Sequence, residues 1–169
     1  MYVHKNIKDK FVSELVASTK NIRVGDPLDD DTTMGAMISQ SQALKVLKYV
    51  ETAEKEVVAV YLLLFSVLIC IHKYSRVIFQ GGKVLCGGER VIPSEEFENG
   101  WFVSPCVIDG VTDNMTVARE EIFGPVISLL TFEDENDVIK RANDSQFGLA
   151  AGVFTKYVQQ VAKLSIFRQ

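Results

Sequence analysis

Val57 to Ile71 (VVAVYLLLFSVLICI) is an unbroken apolar block in which Ser66 is the only clearly polar residue. It constrains this chain more than any other feature. The block follows directly on the charged Glu54-Lys55-Glu56. As a helix it would reach only ~22 Å at 1.5 Å per residue, against a bilayer core of about 30 Å. Tilting would shorten that reach, which leaves bilayer thinning or snorkelling of flanking lysines as routes to a membrane. Lys48 and Lys55 before it and Lys73 and Arg76 after it give no charge asymmetry to orient it. In water it must be covered, because an exposed apolar patch of that size exceeds what monomers tolerate.

The rest of the chain reads as an ordinary soluble domain. Its 169 residues, 47% hydrophobic and 24% charged, suffice for one domain with a real core. A formal net charge of -4 gives no basic face for nucleic acid. Cys70, Cys86 and Cys106 are odd in number and widely spaced, which argues against a disulfide framework and a zinc site. A reducing, cytoplasmic compartment is the simpler expectation. Met1 to Lys10 has no apolar core of the kind a secretory signal needs.

Periodicity divides the chain into alternating strands and helices, which predicts an α/β layer architecture. Tyr2-Val3 begins extended, and a helix follows with Ile7, Phe11, Leu15 and Ile22 near one face. Gly25-Asp26-Pro27 ends it and opens an acidic loop. A second helix opens at Ser39, with Gln42 placed to complete a capping box. Its predicted buried stripe is Ala43, Val46, Leu47, Val50 and Ala53. Strands are expected over Lys83 to Cys86 and over Trp101 to Ile108, the latter interrupted at Pro105. Val126 to Phe132 reads as one strand covered on both faces. Asp134 can cap a helix carrying Val138, Ile139 and Ala142, Phe147 to Phe154 reads as a further buried strand, and a helix is expected from Lys156 onward.

One run carries chemistry: Arg119-Glu120-Glu121-Ile122-Phe123-Gly124-Pro125-Val126. It stands in order among Gly25-Asp26-Pro27-Leu28, Thr33-Met34-Gly35, Lys83 to Gly88, Pro105-Cys106-Val107, Ala142-Asn143-Asp144 and Phe147 to Thr155. Together these residues resemble the NAD(P)-dependent aldehyde dehydrogenase family, closest to its 4-trimethylaminobutyraldehyde and betaine-aldehyde branch. The resemblance implies a partial catalytic domain with a mostly parallel sheet and flanking helices. It also implies NAD or NADP as cofactor, an aldehyde substrate and a homo-oligomeric parent.

By the same resemblance, Glu121 accepts hydrogen bonds from the nicotinamide-ribose hydroxyls. An ionised carboxylate offers only acceptors to two adjacent donors. Phe123 lies against the nicotinamide end, and Gly124-Pro125 sets a stiff turn. Gln42 and Lys45 match residues that touch the adenosine-side ribose, and three-residue spacing puts them on one helix face. A solvated charge cluster at 119–121, a capping role for Gln42 and a solvated Lys45 are the plainer alternatives. No metal ligand set is expected. His4 and His72 have no acid or nucleophile positioned by sequence.

The family's nucleophilic cysteine belongs a few residues before the point matching Met1, and its base further upstream. Cys86 and Cys106 stand outside that context. The expectation is therefore a fragment with no catalytic residue, inactive alone. Deleting Val57 to about Phe79 joins Glu56 to Gln80-Gly81-Gly82-Lys83, where the family runs continuously from helix to strand. The block thus reads as an insert at about 57–79, and the carboxyl end from Ala162 departs as well. A non-catalytic splice or gene-model product, associating with intact subunits or a membrane through 57–71, is the alternative.

Overall fold

The computed structural model describes residues 1–68, 82–148, 150–157 and 161, and between 57 and 68 the backbone only. The apolar block beyond Leu68, Cys70, His72 and most of the helix expected from Lys156 lie outside the described residues.

The element order is β1 (Tyr2–His4), α1 (Lys8–Lys20), α2 (Gln40–Leu68), β2 (Lys83–Cys86), β3 (Arg90–Val91), β4 (Phe102–Val103), β5 (Cys106–Asp109), α3 (Thr116–Arg119), β6 (Val126–Ser128), β7 (Leu130–Phe132) and α4 (Glu135–Asn143). β5 is central to a three-stranded sheet, antiparallel to β2 and parallel to β6. β1 pairs with β7 in parallel, and β3 with β4 antiparallel. The α/β expectation holds, but the described pairings are an even mixture of parallel and antiparallel rather than mostly parallel.

Alternation along β5 divides the core. Cys106 and Ile108 join one cluster with Ala43, Val46, Val50 and Ala53 of α2. Val107 joins the other with Val3 and Leu129, against Phe11 and Leu15 of α1. Successive side chains of a strand point to opposite faces, so a strand between two helices must be apolar throughout. Each fully buried Val or Ile stabilises by roughly 1.5–3 kcal/mol. The predicted α2 stripe is therefore confirmed, with Leu47 half-buried beside it. On α1 the stripe is shorter than expected, since Ile7 and Ile22 are largely exposed.

Two predicted strands need correction. Val126 to Phe132 is divided at Leu129, because β6 pairs with β5 while β7 leaves to pair with β1. Leu129 is itself buried and tied to Ile108 and Val111 by backbone hydrogen bonds, so no polar residue betrays the division. Phe147 to Phe154 forms no strand among its described residues; Phe147 and Phe154 are exposed and no described strand runs alongside to accept its backbone. The acidic loop is held by Arg23, which pairs with Asp29 and Asp31. Among the described residues, no helix is long and apolar enough to cross a membrane.

Candidate functional site

The run from Thr116 to Gly124 lies along one stripe of α2. Glu56 accepts hydrogen bonds from the backbone N–H and the hydroxyl of Thr116, at the start of α3. Tyr49 donates its hydroxyl to Glu120 Oε2 at 2.6 Å. Gln42 Nε2 donates to the carbonyls of Ile122 and Phe123, both at 3.0 Å. A Cβ placed on Gly124 would stand 2.4 Å from Val46 Cγ2, so the turn and the helix touch where glycine occurs. Positions 42, 46, 49, 53 and 56 recur at the helical period, and Ala53, fully buried, completes the set.

Between these anchors the chain alternates. Ile122 is buried in the α2 cluster, while Glu121 and Phe123 are exposed. Phe123 adopts φ 52°, the left-handed region that a bulky side chain seldom enters. A conformation of this kind costs roughly 1–3 kcal/mol and persists only where its surroundings impose it. The paired bonds from Gln42 impose it here. Gln42 therefore does not complete the predicted capping box. Ser39 Oγ accepts from the Gln42 backbone N–H at 3.2 Å, but the Gln42 amide is spent on the turn instead.

Glu121 borders an open depression of about 940 Å³, with Tyr2, Asp113, Arg119, Arg141 and Phe147 also on its wall. Its cations are already paired. Arg141 donates to Asp113, Asp137 and the Thr131 carbonyl, and Arg119 to Asp144. Tyr2 donates to Asp113 at 3.0 Å, and burial together with that carboxylate pushes its hydroxyl up to about 12. The Glu121 carboxylate, by contrast, makes no hydrogen bond or ion pair with a described residue. Phe123, Gln42 and Lys45 lie outside the depression's wall. Lys45 is exposed, with Nζ 5.8 Å from the Tyr49 ring centre.

Cys106 is buried, and burial above all pushes its thiol up to about 12, so it carries no thiolate at neutral pH. Cys86 is half-buried in β2. His4 shares a hydrogen bond with the Glu133 carbonyl and stacks edge-on against Phe132. Among the described residues there is no cluster able to hold a metal ion.

Sequence reasoning singled out Glu121, Phe123, Gln42 and Lys45 as candidates but not Tyr49 and Glu56, which hold the run against α2. Both fall on the helical stripe begun by Gln42, and that phase is the signal that could have found them.

Comparison with known proteins places the chain among relatives. The family model described as "Aldehyde dehydrogenase family" matches residues 1–62 and 70–166. A 4-trimethylaminobutyraldehyde dehydrogenase B of Danio rerio is 43% identical over 165 residues, covering 97% of this chain and 27% of that protein. A betaine aldehyde dehydrogenase of Brucella ovis is 46% identical over 155 residues, covering 92% and 27%. Among solved structures, an NAD⁺ complex of an aldehyde dehydrogenase from Bacillus cereus superposes with a TM-score of 0.79 at 34% identity, covering 98% of this chain and 28% of that one. A betaine aldehyde dehydrogenase of Staphylococcus aureus in complex with NAD⁺ gives 0.80 at 31% identity, covering 98% and 28%. The chain thus spans little more than a quarter of the length of these relatives.

Proposed function

Because the chain belongs to the aldehyde dehydrogenase family, we propose that it supplies the nicotinamide-side binding segment of an enzyme that oxidises an aldehyde to a carboxylate with NAD or NADP. The observation that carries this reading is an uncommitted carboxylate beside an exposed aromatic, on a turn imposed by α2. Glu121 offers acceptors for the two hydroxyls of a ribose. The exposed ring of Phe123 offers a flat apolar face for a nicotinamide. The carboxylate acceptors and the aromatic face therefore fit the nucleotide, which when bound supplies the hydride acceptor for aldehyde oxidation. Gln42 acts on that ligand through the turn it holds, and exposed Lys45 supplies a positive charge on the same helix face. The described cysteines contribute packing rather than nucleophilic attack.

The test is NAD binding to the full 169-residue chain, with AMP, which lacks the nicotinamide ribose, as control. Glu121→Gln removes one charge-assisted hydrogen bond, about 1.5–3 kcal/mol, so NAD should bind some ten- to hundredfold more weakly while AMP is unaffected. Equal NAD affinity in both proteins would return 119–121 to a solvated charge cluster.

A second reading concerns Val57 to Phe79. The family match includes 57–62 and resumes at 70, leaving 63–69, inside the apolar block, unmatched. We infer that the block is an insert relative to the family, and that it drives association with membranes or with other protein chains. Within it, Val57 to Ile71 is apolar and rich in β-branched residues without charge or proline, which favours aggregation. Deleting Val57 to Phe79 should move the protein from the pellet or membrane fraction into the soluble fraction. A soluble, monomeric full chain would sink this idea.

A further inference from the structure

Glu120 and Glu121 are adjacent carboxylates, and both border the depression. Only one is free. Glu120 is extended, at φ -110° and ψ 150°, and in extended backbone consecutive side chains leave on opposite sides. Tyr49, nine-tenths buried in the α2 cluster, donates its hydroxyl to Glu120 Oε2 at 2.6 Å. Holding Glu120 against the helix leaves Glu121 on the other side, its oxygens without a partner among the described residues.

We propose that Tyr49 is a positioning residue that selects between the two carboxylates, fixing Glu120 so that Glu121 is the one presented to the ligand. This rests on the reading of Glu121 as the acceptor for the nicotinamide ribose. The geometry has further support on both sides of the bond. The Tyr49 hydroxyl is held in its protonated, donating form, its pKa raised first by the hydrogen bond to Glu120 and then by burial. The ring is confined by the core around it, among Val46, Val50 and Ile122. A buried ring loses little further freedom when its hydroxyl is engaged, whereas a surface glutamate would otherwise sample several rotamers. Gln42, two turns earlier on the same stripe, sets the backbone of residues 122 and 123; Tyr49 sets the side chain that precedes them.

The experiment uses the full 169-residue chain and its Tyr49→Phe, Glu120→Ala and doubly substituted forms, followed by hydrogen exchange of the amides of 120–124. Loss of a hydrogen bond to a charged group should speed exchange there about tenfold or more in Tyr49→Phe, with the amides of β5 unchanged. In the Glu120→Ala background, Tyr49→Phe should add nothing. Unchanged exchange in Tyr49→Phe, or an equal further loosening without Glu120, would overturn the proposal. If Tyr49→Phe loosens β5 as well, Glu120→Gln decides the matter with the ring intact. It keeps an acceptor and should loosen the turn less than Glu120→Ala; equal loosening overturns the proposal. Added NAD separates the two levels. If it protects 121–123 in no form while the Tyr49 effect stands, the ribose reading fails and the positioning role survives.

Discussion

Gly87→Ala is expected to destabilise the fold by about 2–5 kcal/mol, the sum of a left-handed backbone penalty and a forced displacement of packed chain. Gly87 has φ 65°, and a Cβ built there falls 1.8 Å from the Pro105 carbonyl oxygen and 2.6 Å from its carbon. Both obstacles are backbone, so no rotamer relieves them. The collision sits where β2 leaves its antiparallel partner β5, one residue before Gly88 donates its N–H to the Ser104 carbonyl at 3.1 Å. Relief therefore requires the strand pairing beneath both core clusters to open. Urea unfolding followed through the single tryptophan, Trp101, should show a much lower midpoint with unchanged slope. An unshifted midpoint would mean that the loop moves aside freely and that the β2–β5 register does not depend on this approach.

Gly124→Ala is expected to cost about 1–3 kcal/mol by overpacking, and to do so through one identifiable partner. The added Cβ meets Val46 Cγ2 at 2.4 Å, Cγ1 at 3.0 Å and Cβ at 3.3 Å. Val46 is fully buried and cannot retreat. Truncating it should make room, so Val46→Ala together with Gly124→Ala should be more stable than the sum of the two separate losses. A favourable coupling of more than about 0.5 kcal/mol is expected from a four-species unfolding cycle. Additive losses would place the cost of the alanine in the backbone of the turn rather than in its contact with α2.

The sequence was most readable where burial and period coincide. The stripe of Ala43, Val46, Val50 and Ala53 declares its buried face because a long helix repeats it. Cys106-Val107-Ile108 is apolar throughout because each face of β5 has its own helix. The Val126–Phe132 run could not disclose its division, since Leu129 is turned inward at the point where the chain changes sheet. Phe147 to Phe154 carries the composition of a buried strand, but composition cannot supply a neighbour to pair with. At the candidate site, Glu121, Phe123 and Gln42 were singled out by motif resemblance. The task of Gln42 was not legible, because the carbonyls it holds are 80 and 81 residues away. Tyr49 escaped for the same reason, with Glu120 71 positions distant.

The stripe on α2 also governs where this chain tolerates a change of length. Each residue added to a helix rotates everything beyond it by roughly 100°. One extra residue anywhere between Gln42 and Glu56 would swing the earlier contacts out of phase with the later ones, and the run from Thr116 to Gly124 could no longer be met by both. After Glu56, the last described side chain of the stripe to touch that run, added residues rotate none of these contacts. The apolar block begins at Val57, the first position at which helix length is uncoupled from the contacts described between α2 and the turn.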